Sequence, residues 1–393
     1  MIDRAIDAWL REHGDGLIAT RRHLHAHPEL SREEYATTEF LMERLELAGA
    51  RVRRLASGTG LVCDVGDSES RSRLAFRADI DALGMTDEKD VPYRSQVAGV
   101  CHACGHDVHT TVSLGAALYF AHHPDELPGP LRFLFQPAEE QVPGGALDVL
   151  ADGGIDGVDA IIGLHCWPKV DVGVFGLRSG SVTSAADMAA IALHGPGGHT
   201  ARPEETVDMV SVAATVVAEL PGAVDELIGE AGAVKLVFGS VHAGDAANVI
   251  PTTCELKASV RTPRLDVWEM LPALVDKALR RVLDVTTAEF ELDYTSGVPP
   301  VVNDDGLIET VRTALRDEFG SDGVVEAEHS WGGDDFAWYS REVRAAFVRL
   351  GVHDPAWSGR LDLHVGRFDV DERSIAHGVR ALVAIADAHF GRS

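Results

Sequence analysis

The stretch GPLRFLFQPAEE (residues 129–140) carries an apolar run, Leu131 to Phe135, that stops at a proline and two adjacent acids. A run this short and apolar between chain breakers reads as a buried strand. VDAIIGLHCWP (158–168) repeats the design, with His165 placed where the run ends. Upstream, LVCDVG (61–66) and RLAFRADIDAL (73–83) also read as strands, the second breaking into an acidic loop, and HTTVSLGAALYFAHH (109–123) reads as a helix. Strands alternating with helices predict an α/β fold with a largely parallel sheet between helices. In such sheets the loops at the carboxyl ends of the strands build the active site.

The flanks extend this scheme. Residues 1–50 read as helical. MIDRAIDAWLREHGDGL (1–17) is amphipathic and lacks the apolar block of a secretory signal. SREEYATTEFLMERLELAG (31–49) has Ser31 as a helix cap, an acidic first turn and a closing Gly49. Beyond residue 183 the texture changes. SAADMAAIALHG (184–195), AVKLVFGSVHAG (233–244), TTCELKASVRT (252–262) and AEFELDY (288–294) read as strands. VDMVSVAATVVAEL (207–220) and DVWEMLPALVDKALRRVL (266–283) read as the helices between them. The order βαββαβ is that of a small ferredoxin-like domain. TSGVPPVVND (295–304) reads as a linker. The expected organisation is a catalytic domain made of residues 1–182 and 296–393, interrupted by an inserted lid domain, 183–295.

A chain of 393 residues favours two domains, and 45% hydrophobic with 25% charged residues is an ordinary globular composition. No run approaches the ~18–20 apolar residues of a membrane span. A formal net charge of −27 disfavours nucleic acid and anionic membranes as partners. The five cysteines (63, 101, 104, 166, 254) are odd in number and scattered, which fits a reducing compartment. A cytoplasmic protein is expected.

CHACGHDVHTT (101–111) packs two cysteines and three histidines into nine residues, just before a helix. Three readings compete: a metal site, a C-x-x-C redox pair, and polar residues at a helix start. A structural zinc site normally needs a second matching pair, and none exists. A redox pair belongs beside a βαβ start, without adjacent histidines. The strand-end loops supply further ligand types: Glu139 and Glu140 after LRFLF, His165 after AIIGL, and His364 in LDLHVG. Thiolate, imidazole and carboxylate all bind zinc-type metals, and one site often gathers them from several loops. Adjacent residues in extended chain point apart, so Glu139 and Glu140 can serve different tasks.

The chain resembles the M20 family of metallopeptidases and amidohydrolases, most closely its aminoacylase branch, which includes hippurate hydrolases, N-acyl-amino-acid amidohydrolases and auxin-conjugate hydrolases. The resemblance spans nearly the full length. It rests on LHAHPELS, FRADIDAL, HACGHDVHT, FQPAEE, GLHCWP, GPGGHTARP, NVIP, GGDDFAWY and DLHVGRF, in this order. It implies metal ligands at Cys104, His106, Glu140, His165 and His364, a pair of divalent ions (Mn, Zn or Co) with Cys104 as a bridge, and Glu139 as general base. It implies that Asp81 and Asp107 orient the ligands, that His199 makes an oxyanion contact, and that Asn248 and Arg261 contact the substrate. Arg261 would pair with the carboxylate of the amino-acid half. His102 and His109 are left as structural or supporting polar groups. The sequence departs from the branch at Gly84 and Gly366, where proline is common, and at Cys101, where methionine is usual. These departures bear on loop shape and substrate preference.

The resemblance implies metal-dependent hydrolysis of N-acyl amino acids to a carboxylic acid and a free amino acid, and leaves a homodimer or higher homo-oligomer open. A dipeptidase or carboxypeptidase on the same scaffold is the alternative. A non-catalytic metal- or ligand-binding protein is a third reading, disfavoured because binding alone would need only one of the two glutamates.

Overall fold

The computed structural model describes residues 5–66, 72–229 and 233–392. They divide into two compact units. One comprises the chain up to Val182, Val302–Glu328 and Asp335 onward; the other comprises Thr183–Val301 and His329–Asp334. Among the described residues, no helix is long and apolar enough to cross a membrane.

The first unit is built on an eight-stranded mixed sheet. Its order is Arg51–Arg54, Leu61–Val65, Leu131–Gln136, Arg73–Asp79, Val158–Asp171, Arg344–His353, Phe175–Leu177, Val324–Glu326. The four central strands, from Leu131–Gln136 to Arg344–His353, run parallel. Leu131–Gln136 and Arg73–Asp79 are buried at every position, as strands covered on both faces must be. The helix His106–His122 is buried nearly all round, including the polar side chains of its first turns, His106, Asp107, His109, Thr110 and Thr111. It packs against Ala5–Ala26, Arg373–His389 and the strand Arg73–Asp79.

Several local expectations change. The helix expected from Ser31 begins at Tyr35, and the Ser31 hydroxyl donates instead to Asp81 at 2.6 Å. A buried carboxylate fifty residues downstream outcompetes the helix end for that donor. The helix does close as read, with Gly49 at φ 82 just beyond its last turn. His165 does not end its strand, which continues to Asp171; Arg73–Asp79 stops pairing with it at Arg77–Gly163, while Arg344–His353 still pairs with His165 through Arg349, so His165 is past the pairing on one side only. The residues expected as a linker are built in: Glu289–Val298 is one strand, and Val298, Val301 and Asn303 are buried. The amphipathic N-terminal helix is present over Ala5–Ala26; residues 1–4 lie outside the described residues.

In the second unit, a four-stranded antiparallel sheet has the order Lys235–Ala243, Thr253–Arg261, Ala186–His194, Glu289–Val298. With helices Met209–Ile228 and Leu271–Leu283 this is the βαββαβ arrangement read from the sequence. The helix expected over 266–283 is two pieces, Leu265–Trp268 and Leu271–Leu283, because Pro272 cannot continue a helix but suits a first turn. A short ladder, Gly198–His199 against Val249–Ile250, stands beside the main sheet.

Candidate metal centre and active site

The first unit gathers the proposed ligands from four chain segments. Cys104 and His106 flank Gly105, which adopts φ 88 and whose added Cβ would lie 2.7 Å from the Cys166 sulfur. Only glycine lets this segment close onto the strand that carries His165. One ligand atom from each of Cys104, His106 and His165 falls within 4.8 Å of the others. The same holds for Cys104, Glu140 and His364, and for His106, Glu139 and Glu140. Cys104 is common to the first two groups.

The imidazoles are set to offer Nε2. His106 Nδ1 donates to the Asp81 carbonyl at 3.0 Å, and His165 Nδ1 to the Cys166 carbonyl at 2.8 Å. An N–H given to a carbonyl leaves the other nitrogen as the lone-pair donor a metal needs. His165 Nε2 lies 3.6 Å from the Cys104 sulfur. His106 Nε2 is buried without a hydrogen-bond partner and faces carboxylate oxygens of Asp79, Glu139 and Glu140 at 3.7–3.9 Å. His364, held in the left-handed region at φ 61 with its N–H on the Ala103 carbonyl, brings Nε2 to 3.3 Å from Glu140. Buried orphaned nitrogen, sulfur and carboxylate facing one another fit a soft or borderline divalent cation.

Burial and neighbouring charge act on these groups in different directions. Burial pushes the Cys104 thiol well above its ordinary value, so a cation is the natural means of deprotonating it. Burial holds His165 well below the usual histidine range, in the neutral form a ligand requires. Burial opposes charge on His106 too, but Asp79 and the Cys104 sulfur outweigh it and raise its pKa. The hydrogen bond to Glu140 raises His364.

Around these residues, Asp81 takes the Glu140 N–H at 3.0 Å as well as the Ser31 hydroxyl, and its other oxygen is 3.3 Å from His106 Nδ1. Asp107 faces elsewhere: its carboxylate accepts from Arg21 at 2.7 Å and from His25 at 2.8 Å. The Asp107 ion pair is wholly buried beneath the helix start. His102 is buried with neither ring nitrogen hydrogen-bonded. Cys101, raised to about 11 by burial, is in none of the ligand groups among the described residues. The departures at Gly84 and Gly366 border one segment: the Gly366 carbonyl accepts the Glu88 N–H at 2.8 Å, and a Cβ at Gly366 would lie 2.5 Å from the Thr86 carbonyl oxygen. A proline there would not fit this loop.

Sequence reasoning passed over Asp79. Two residues before Asp81 in the extended RADID stretch, it projects to the same side. It accepts from His109 Nδ1 at 2.6 Å and pairs with Arg77 through its other oxygen. His109 Nε2 in turn accepts the N–H of Cys166 at 2.7 Å. A chain from Asp79 through His109 thus fixes the backbone next to His165. The period-two spacing of the two aspartates was the available signal.

In the second unit, His199 and Asn248 are neighbours through the short ladder, where Val249 pairs with His199. Ala201 donates its N–H to His199 Nδ1 at 3.0 Å. In the neutral ring the proton is therefore on Nε2, and the residue is exposed. Arg261 ends its strand half-buried, with Nε on the Ser259 hydroxyl at 3.1 Å and Nη1 on the Trp331 carbonyl at 2.8 Å. Both contacts orient the guanidinium.

The model of peptidase family M20/M25/M40 covers residues 75–388. A Rhodococcus jostii protein bearing a glutamate–cysteine ligase name is 43% identical over 369 residues, 94% of this chain, and the chain spans 46% of that relative's length. The N-acetyl-L-cysteine deacetylase of Bacillus subtilis is 35% identical over 359 residues, 91% of this chain and 84% of that protein. Among solved structures, a dinuclear metal-binding peptidase of the M20 family from Bacillus subtilis superposes with a TM-score of 0.85 at 29% identity, over 98% of this chain and 100% of that one. By sequence along most of its length and by fold, the chain belongs to peptidase family M20/M25/M40.

Proposed function

We propose that this chain is a metal-dependent amidohydrolase that cleaves N-acyl amino acids to a carboxylic acid and a free amino acid. The observation that carries the reading is the pair of ligand groups, Cys104–His106–His165 and Cys104–Glu140–His364, that share one sulfur while Glu139 stands beside them. Two divalent cations, of the Mn, Zn or Co kind, would be held by these five residues. The chemistry such a pair supplies when bound is polarisation of the amide carbonyl and acidification of the attacking water.

The protein's own groups do the rest. Glu139 takes a proton from the water as its oxygen bonds to the amide carbon. The C–N bond then breaks as Glu139 returns that proton to the leaving nitrogen. His199, with its proton on Nε2, is assigned to the oxyanion that develops meanwhile. Asn248 holds the substrate, and Arg261 the carboxylate of the amino-acid half. The named activity of the Bacillus subtilis relative makes N-acetyl-L-cysteine the first substrate to try.

The test is a panel of N-acetyl, N-benzoyl and indole-acetyl amino acids beside free dipeptides, assayed with Mn, Zn and Co. Turnover of acyl amino acids well above dipeptides is expected. Preference for dipeptides would overturn the assignment in favour of peptidase activity.

A further inference from the structure

The general base sits on a strained turn that is held from a distant part of the chain. Among the described residues, three that are not glycine have positive φ: Arg32, Ala138 and His364. Ala138, at φ 54, immediately precedes Glu139. A side chain disfavours this conformation, so it persists only where the surroundings impose it. Those surroundings are explicit. The Ala138 N–H donates to Glu34 Oε1 at 2.8 Å, and its carbonyl accepts from the Gly145 N–H at 2.9 Å. Gly145 must be glycine for this contact, since a Cβ there would lie 1.9 Å from the Pro137 carbonyl oxygen.

Glu34 is fully buried, 104 residues away in sequence. Its Oε1 also accepts the N–H of Arg32 at 2.9 Å, the second left-handed residue, at φ 69. One carboxylate oxygen therefore clamps both strained turns together. The same turn carries Ser31, which holds Asp81, which holds the Glu140 N–H. The two glutamates are thus bracketed by tethers on residues 138 and 140, both leading back to residues 31–34. Glu34 Oε2 is buried without a hydrogen-bond partner. Both backbone N–H groups that Glu34 accepts, those of Arg32 and Ala138, fall on Oε1.

We propose that Glu34 is a positioning residue for catalysis, which fixes the left-handed turn at Ala138 and thereby the direction of the Glu139 carboxylate. The inference rests on Glu139 being the proton shuttle. Glu34 touches no substrate; it acts through the backbone. An error of about 1 Å in a catalytic group can cost ~10²-fold in rate.

The experiment compares Glu34→Gln, Glu34→Asp and Glu34→Ala in the metal-loaded full chain. It measures kcat, KM, bound metal, and hydrogen exchange of the peptide spanning residues 137–142. Glutamine keeps an acceptor oxygen at the same reach and should retain kcat within about 3-fold. Aspartate keeps the charge but falls one methylene short, and should lose about 10-fold or more in kcat with KM and metal content near wild type, as expected when only transition-state alignment suffers. Alanine should lose more, with faster exchange over 137–142; if it fails to fold, the glutamine–aspartate contrast still decides. Aspartate as active as wild type, or a loss in glutamine equal to that in aspartate, would overturn the proposal. Wild-type protein inactive on every acyl amino acid would instead defeat the functional reading, while the exchange comparison would still test the clamp.

Discussion

Replacing His109 by leucine removes two buried hydrogen bonds at once while nearly conserving volume. The Cys166 N–H loses its acceptor at 2.7 Å, and Asp79 loses a donor at 2.6 Å. The carboxylate is not abandoned, because Arg77 stays paired with its other oxygen. The cost is therefore one unpaired buried N–H, about 1–3 kcal/mol, plus one hydrogen bond to a charged group, about 1.5–3 kcal/mol. The sum, about 2.5–6 kcal/mol, is a large share of the ~5–15 kcal/mol by which a domain is stable. Because the freed backbone adjoins His165, metal affinity should also fall, by about 10–100-fold, the usual worth of a group that orients a ligand. Thermal melts and metal analysis after dialysis against a graded chelator measure both effects. His109→Gln, which can still accept the Cys166 N–H, should lie between leucine and wild type. A leucine variant that melts within about 2 °C of wild type and holds metal equally would show that the chain from Asp79 through His109 supports nothing.

Other outcomes follow from the site. Glu139→Gln should keep its metal and lose kcat by about 10²–10⁴-fold, whereas Glu140→Gln should lose metal; elemental analysis beside steady-state kinetics separates them. Cys104→Ala should strip metal and abolish hydrolysis, while Cys101→Ala should leave metal content near wild type, and equal losses would point to a paired-cysteine role. Arg261→Ala should raise KM about 10–100-fold for acyl amino acids, the worth of a charge-assisted hydrogen bond, and far less for their carboxamides; equal effects on both would make Arg261 structural. Burial pushes His102 down to about 3, below its unfolded value of about 6.5. Below pH ~6.5 the unfolded chain takes up a proton that the folded chain refuses, so this contribution to stability is intact above that pH and falls as pH drops toward 3. His102→Leu should flatten the decline in melting temperature between pH 7.5 and 5, and an unchanged decline would assign it to other groups.

Much of the fold could be read directly because its signals are local. Leu131–Gln136 is apolar enough to be buried on both faces, and the βαββαβ order follows from strand and helix periodicities that need no knowledge of partners. Chemical type likewise marked Cys104, His106, Glu140, His165 and His364 for attention, since few other side chains bind metals. Folding brings those five into two groups that share the Cys104 sulfur. That sharing is a statement about positions in space, which no spacing along the chain contains. The tertiary structure also decided matters of competition. Ser31 had a helix end to cap and an aspartate to meet, and the aspartate won. Glu34 reads as one more acid in a helical first turn, and Asp79 as one more acid in a loop. Their roles arise because burial removes water, leaving each carboxylate to be satisfied by whichever N–H the fold delivers, for Glu34 that of Ala138 and for Asp79 those of His109 and Arg77.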